Sequence, residues 1–201
     1  MSDGYSFLAS VYQPLSQAVF GKDLIEANRV FSSLGEGRKS LIIGGGDAFS
    51  YREWGRDYSG EYWDTSHKMA ELARINLANS QIKVHTGQWP GGGMFDCVFL
   101  PFVLDTMHDP EIEKLIDKIG QSLNAGGRVI LSDFFPPKTF FQKVIQYLMI
   151  SGFRIFVGHV RQDMPDYDSL FHSEKWLVEE EKIWRKGWIR ARVYTRLDSA
   201  N

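Results

Sequence analysis

The chain has 201 residues, enough for one sizeable α/β domain and short for two, and its 23 basic against 25 acidic residues leave a formal net charge of −2. That balance supplies no basic field for nucleic acid or an anionic membrane surface, and a single cysteine, Cys97, excludes an intramolecular disulfide or a cysteine-clustered metal site. The N-terminus has no basic stretch followed by an apolar run, and no apolar segment approaches the roughly 20 residues that span a bilayer, so the expectation is a soluble, cytoplasmic protein without membrane insertion.

Residues 5–20 predict a helix, because Phe7, Leu8, Val11, Tyr12, Leu15, Ala18 and Val19 recur at three- and four-residue spacing, with a kink or break at Pro14. Tyr5 and Tyr12 fall about two turns apart on one face, where their hydroxyls either border a substrate or simply reach water. Residues 23–34 read as a second helix, closed by Gly35-Glu36-Gly37. Lys39 to Ile43 form an apolar run of the kind a buried strand shows, and it breaks directly into Gly44-Gly45-Gly46. Tyr51, Trp54 and Tyr58 then stand at helical spacing, predicting a short helix on the sheet.

Residues 60–64 look like a second strand ending in Asp64, and 66–74 like a helix capped by Asp64, Thr65 or Ser66. A third strand is predicted over 82–89, with Gln88 and Trp89 at its end, and a fourth over 94–105, running into a polar, aromatic tip. Asp109 and Pro110 open a helix whose buried stripe is Ile112, Leu115, Ile116, Ile119 and Leu123, and residues 124–127 end it. The fifth strand follows as 128–135. Residues 140–156 read as a mixed apolar helix, and 157–173 as an irregular, substrate-facing cover. His159 and His172 in that cover lack a third ligand at metal spacing, so no metal is expected. Two strand-like runs, 177–185 and 188–197, join at Lys186-Gly187 as a hairpin.

A glycine turn after one buried strand and an acid at the end of the next, about twenty residues on, is the pattern of a nucleoside-binding crevice in which the acid accepts from a ribose hydroxyl pair. In the dinucleotide spacing the third small residue would be Phe49, which disfavours a pyrophosphate cradle. S-adenosylmethionine carries no phosphate, and at this point the chain resembles a class I S-adenosylmethionine-dependent methyltransferase of the small-molecule, quinone-methyltransferase-like kind. The stretch Asp64-x-Ser66-x-x-Met69-x-x-x-Ala73-Arg74 and the tip after the fourth strand carry the likeness. It implies a three-layer α/β Rossmann-like fold with a mostly parallel seven-stranded sheet and a C-terminal antiparallel hairpin. It also implies one domain over 1–201, with lid helices over 1–37, the cofactor core over 38–135, and the cover and hairpin over 136–201.

By the same resemblance, S-adenosylmethionine would lie against Gly44, Gly45, Gly46 and Asp47, with Asp64 and Thr65 at the ribose, Met69, Gln88 and Trp89 around the adenine, and Pro101 and Phe102 near the methyl group. The acceptor would be a small aromatic or apolar molecule bordered by Tyr5, Tyr12 and Phe135, with His108 or Asp105 as the base if a hydroxyl must lose its proton. Two positions depart from the family pattern: Ile42 stands where many members place an acid, and Ala48 replaces a glycine. They leave open a non-catalytic nucleoside-binding protein on the same fold. A nicotinamide oxidoreductase is the further alternative, and His108 reads more readily as a surface residue beside a helix start than as a base.

Overall fold

Side-chain alternation along the strands decides the layering. In the computed structural model, which describes residues 20–147 and 163–197, Leu41 and Ile43 of β1 (Lys39–Ile43) pack to one side and Ile42 to the other. The same split recurs in β4 (Phe95–Pro101), where Val98 and Leu100 oppose Cys97 and Phe99, and in β5 (Leu123–Phe134), where Val129 and Leu131 oppose Ile130. A sheet buried on both faces in this way needs cover on both. On the Leu41 side lie α3 (Asp109–Gln121), with Ile112, Ile116 and Ile119 turned inward, and the short α4 (Tyr167–Leu170). On the Ile42 side lie α2 (His67–Asn76), with Ala73, and the aromatics Tyr51 and Trp54. A third cluster joins Ala27 of α1 (Asp23–Arg29) to Phe20, Phe134, Trp188 and Ile189.

The remaining strands are β2 (Ser59–Asp64), β3 (Gln81–Thr86), β6 (Trp176–Trp184) and β7 (Ile189–Arg196). The seven-stranded sheet has the order β3-β2-β1-β4-β5-β7-β6. All pairs from β3 to β5 are parallel, and β7 runs antiparallel to both β5 and β6. The order therefore reverses at β1, as expected of the strand before the glycine turn, and the C-terminal hairpin is present. Among the described residues no helix is long and apolar enough to cross a membrane.

Several local expectations are corrected. The helix predicted over the Tyr51, Trp54 and Tyr58 stretch is only a 3-10 turn, Phe49–Tyr51; the three rings instead stack in series, Trp54 on Tyr58 at 4.3 Å between centroids and on Tyr51 at 4.7 Å. Residues 124–127, read as a loop, enter β5 early: Leu123 pairs with Phe95 across a register irregularity, and Gly126 takes φ +69° to allow it. His108 rather than Asp109 is the N-cap of α3. The Lys186-Gly187 turn is wider than a two-residue hairpin, with Arg185, Lys186 and Gly187 all at positive φ. Tyr5, Tyr12, His159 and residues 148–156 lie outside the described residues.

Gly60 fixes how closely β2 meets β1. It pairs with Ser40, and a Cβ built there would stand 1.8 Å from the Ser40 carbonyl oxygen, at φ +133°. Gly60→Ala is expected to cost about 3 kcal/mol or more in urea unfolding, since a backbone strand has to move. Gly126→Ala, whose added methyl meets nothing, should cost only about 1 kcal/mol of left-handed strain.

Candidate active site

Where parallel strand order reverses, the strand C-termini diverge and leave a crevice. Here the crevice is a cavity of about 770 Å³. It is lined by Ile43 and the Gly44-Gly45-Gly46-Asp47 turn after β1, by Trp63, Asp64, Thr65 and Met69, and by Gly87, Gln88 and Trp89 after β3. Pro101, Phe102, Val103, Asp105 and Thr106 enter from the end of β4, Leu24 and Asn28 from α1, and Glu111, Lys114, Leu115 and Lys118 from one face of α3.

The turn itself needs left-handed backbone at Gly44 (φ +70°) and Gly46 (φ +61°). A Cβ at Gly44 would strike Val103 and one at Gly45 would strike Tyr62, whereas at Gly46 it would enter open space. Ala48, where the resemblance would place a glycine, also takes a left-handed conformation (φ +56°) with its methyl buried, so a non-glycine residue carries strain at this point of the turn. Residues of β2 lock this turn. The Tyr62 hydroxyl donates to the Gly46 carbonyl and lies 3.3 Å from Asp64 Oδ2, which accepts from the Gly46 N–H at 3.1 Å. Burial first, and then the Asp64 charge, push the Tyr62 hydroxyl well above its ordinary pKa, so it stays a donor.

Asp64 Oδ1 accepts from the Ser66 N–H at 2.8 Å, and Ser66 in turn caps α2 through the Met69 N–H. Asp64 thereby ties the end of β2 to both the glycine turn and the start of α2, with its side chain in the cavity wall. Ile42, in contrast, is fully buried in the core on the Tyr51 side, and the carboxylate that this turn does bring to the cavity is Asp47. Asp47 Oδ1 accepts from the Phe49 N–H at 3.0 Å, and its carbonyl from Asn76 Nδ2 at 2.8 Å.

At the β4 end, Phe102 is held at φ +51°, its N–H bonded to the Ser132 carbonyl at 2.7 Å and its ring 5.2 Å from Phe134. Strain of this kind persists only where the surroundings impose it. Asp105, on the 3-10 turn Leu104–Thr106, faces the cavity with its backbone N–H 3.4 Å from the carboxyl of Asp133 on β5.

Thus every residue assigned from the sequence to the cofactor lines one cavity, together with Asp105. Two others do not. His108 is exposed at the start of α3, its N–H bonded to Glu111 Oε2 at 3.0 Å, and is not among the lining residues. Phe135 is buried behind the site, with the guanidinium groups of Arg190 and Arg192 each 4.6 Å from its ring. Sequence reasoning missed Tyr62, Trp63 and the α3 face. Trp63 is stacked on His85 at 4.4 Å, and its neighbour Tyr62 gave no signal beyond that of a strand aromatic. Glu111, Lys114 and Lys118 lie at helical spacing beside the apolar stripe, a pattern that reads as a solvated face.

No protein-family profile and no curated protein sequence matches the chain. Solved structures do. The mitomycin 7-O-methyltransferase MmcR superposes with a TM-score of 0.66 at 16% identity, over 94% of this chain and 58% of that one. A TehB-like SAM-dependent methyltransferase from Corynebacterium glutamicum gives 0.57 at 13% identity, over 94% and 97%. LepI, in complex with SAM, gives 0.58 at 15% identity, over 87% and 46%. The chain therefore spans about half the length of MmcR and LepI and nearly all of the TehB-like protein. By these superpositions the chain has the fold of the class I S-adenosylmethionine-dependent methyltransferases.

Proposed function

We propose that this protein binds S-adenosylmethionine in the cavity at the β1 turn and transfers its methyl group to a small, aromatic or apolar acceptor. The convergence of the glycine turn, Asp64 and Phe102 on one cavity carries this reading. At about 770 Å³ the cavity lies toward the upper end of the range of about 300–1,000 Å³ usual for small-molecule sites, which suits a cofactor together with a compact acceptor. One of the structural neighbours, LepI, was itself solved with SAM.

In this reading the open space at Gly46 admits the amino-acid tail of the cofactor, and Asp47 offers a carboxylate to its ammonium group. Asp64 accepts from the ribose hydroxyls, while Met69, Trp89 and Gln88 surround the adenine. When bound, the cofactor supplies an electrophilic methyl on a sulfonium that is already a good leaving group, so the protein's part is positioning and the exclusion of water. Phe102, locked in its conformation by Ser132 and Phe134, and the buried Pro101 present a rigid apolar wall at the β4 end, where an acceptor ring would be oriented.

Calorimetric titration with S-adenosylhomocysteine, with NADH as the competing cofactor, tests the binding step. The expected result is saturable binding of the first and none of the second; the reverse would move the chain to the oxidoreductases. Asp64→Ala should weaken S-adenosylhomocysteine by roughly 1.5–3 kcal/mol with folding intact, and unchanged affinity would reduce Asp64 to a turn residue. Tyr62→Phe removes a hydroxyl that never lines the cavity, yet should weaken binding by about 1 kcal/mol by loosening Gly46. Transfer itself is tested by incubating the protein with methyl-labelled cofactor and a metabolite extract. Binding without any labelled small product would favour the non-catalytic reading.

A further inference from the structure

Asp133 is a titratable group that the binding site does not use. It is fully buried at the end of β5, and its neighbours are few and specific. Its Oδ1 accepts from the Phe134 N–H at 2.8 Å and its Oδ2 from the Asp105 N–H at 3.4 Å. From α4 the Tyr167 hydroxyl faces the same carboxyl. From β7, Arg190 stands opposite Asp133 in register, but its guanidinium bonds the Gly187 carbonyl and Glu181. Arg192, farther along β7, is taken by Glu181, Asp168 and Tyr194. Neither arginine forms a pair with Asp133. The charge that bears on Asp133 is a like one, the carboxylate of Asp105, and Asp105 is the acid that opens on the cavity.

We propose that Asp105 takes the proton of a hydroxyl-bearing methyl acceptor, and that Asp133, buried behind it and bonded to its backbone N–H, is the positioning residue that holds Asp105 at the cavity. This rests on the methyltransferase reading and narrows it to acceptors that must lose a proton, such as phenols. Like charge on neighbouring carboxyls disfavours ionising both, and Asp133, fully buried, is more desolvated than the cavity-facing Asp105. Burial, and then the charge of Asp105, push the Asp133 carboxyl well above the ordinary carboxylate range. Asp133 is therefore the member of the pair that burial drives toward its neutral form. During transfer the acceptor oxygen forms its bond to the methyl carbon, the carbon–sulfur bond breaks with its electron pair passing to sulfur, and the hydroxyl proton passes to Asp105 and from there to water.

Burial of the Asp133 carboxyl has a signature that needs no substrate. A carboxyl whose pKa is raised on folding stabilises the fold fully at acid pH and loses that contribution as pH rises from the unfolded value, near 4, toward the folded one. Asp133→Asn, which cannot ionise, should therefore melt ever further above wild type as pH is taken from about 5 to about 9, while its affinity for S-adenosylhomocysteine stays within about twofold. Asp105→Asn removes the like charge and should shrink the pH dependence of wild type. With methyl-labelled cofactor and a panel of phenols and hydroxyquinones, Asp105→Asn should lower turnover by about a hundredfold or more, and Asp133→Asn should shift the pH profile of kcat rather than abolish activity. A constant melting difference between wild type and Asp133→Asn overturns the pair, whatever the activity shows. A hundredfold loss in His108→Ala with Asp105→Asn unaffected overturns the assignment of the base. Loss of S-adenosylhomocysteine binding by the wild-type chain would instead sink the methyltransferase reading itself.

Discussion

The buried hydroxyl of Tyr62 and the carboxylate of Asp64 hold the turn after β1, and most of the cavity follows from that contact. A backbone that goes left-handed at Gly44 and again at Gly46 cannot complete a regular ladder, so its carbonyls and N–H groups need partners from elsewhere. The next strand supplies them to the Gly46 carbonyl and N–H. Leaving such groups buried and unmatched costs about 1–3 kcal/mol each, which is enough to let a glycine-rich loop sample other shapes. Gly60 is the upstream condition, because only a residue without a side chain lets β2 pair with Ser40 in the register that sets Tyr62 beside Ile42 and leaves Asp64 at the strand end. Chain chemistry at position 60 thus governs geometry at position 46.

The central strands β1, β4 and β5 were legible in the sequence because double-sided burial makes them apolar runs, β3 because it alternates, and the reversal at β1 could be read because glycines followed directly. Local departures arose where tertiary contact overrode local pattern. Tyr51, Trp54 and Tyr58 had helical spacing, but they serve a stacked column that fills the sheet face without a helix. Residues 124–127 carried loop chemistry, yet Leu123 found a partner in Phe95 and drew them into β5. In the site, residues at the ends of strands were accessible to sequence reasoning, since topology alone gathers them. His108 and Phe135 were not resolved by that logic: one residue past a strand tip decides whether a side chain enters the crevice, starts a helix or drops behind the sheet. The contribution of α3 was hidden because a charged face lining a cavity has the same spacing as one facing water.

Behind the cavity the molecule solves a different problem. Arg192 is nearly buried, and burial opposes its charge, yet Tyr194, Glu181 and Asp168 together hold its pKa above the usual value. The Phe135 ring meets both this guanidinium and that of Arg190, and also Tyr167 at 4.8 Å. Cation–aromatic contacts of this kind add about 0.5–2 kcal/mol each when desolvated. The cluster ties α4 to β7 and so fixes the side of the Asp105–Asp133 pair that faces away from the cavity.

The last strand of the sheet, β6, is paired on one side only among the described residues and has an exposed surface bearing Leu177, Val178 and Ile183. A flat apolar edge invites another chain to continue the ladder. This one carries Glu179, Glu180 and Glu181 at its centre and a register irregularity between Val178 and Glu180. Antiparallel joining of two copies about Glu180 would set Glu179 against Glu181 and Glu180 against itself, crowding carboxylates already engaged with Arg128, Lys182, Arg190 and Arg192. The hairpin that completes the fold therefore also finishes the hydrogen-bonded array with a strand whose acidic centre and register break make it a poor template for its own copy.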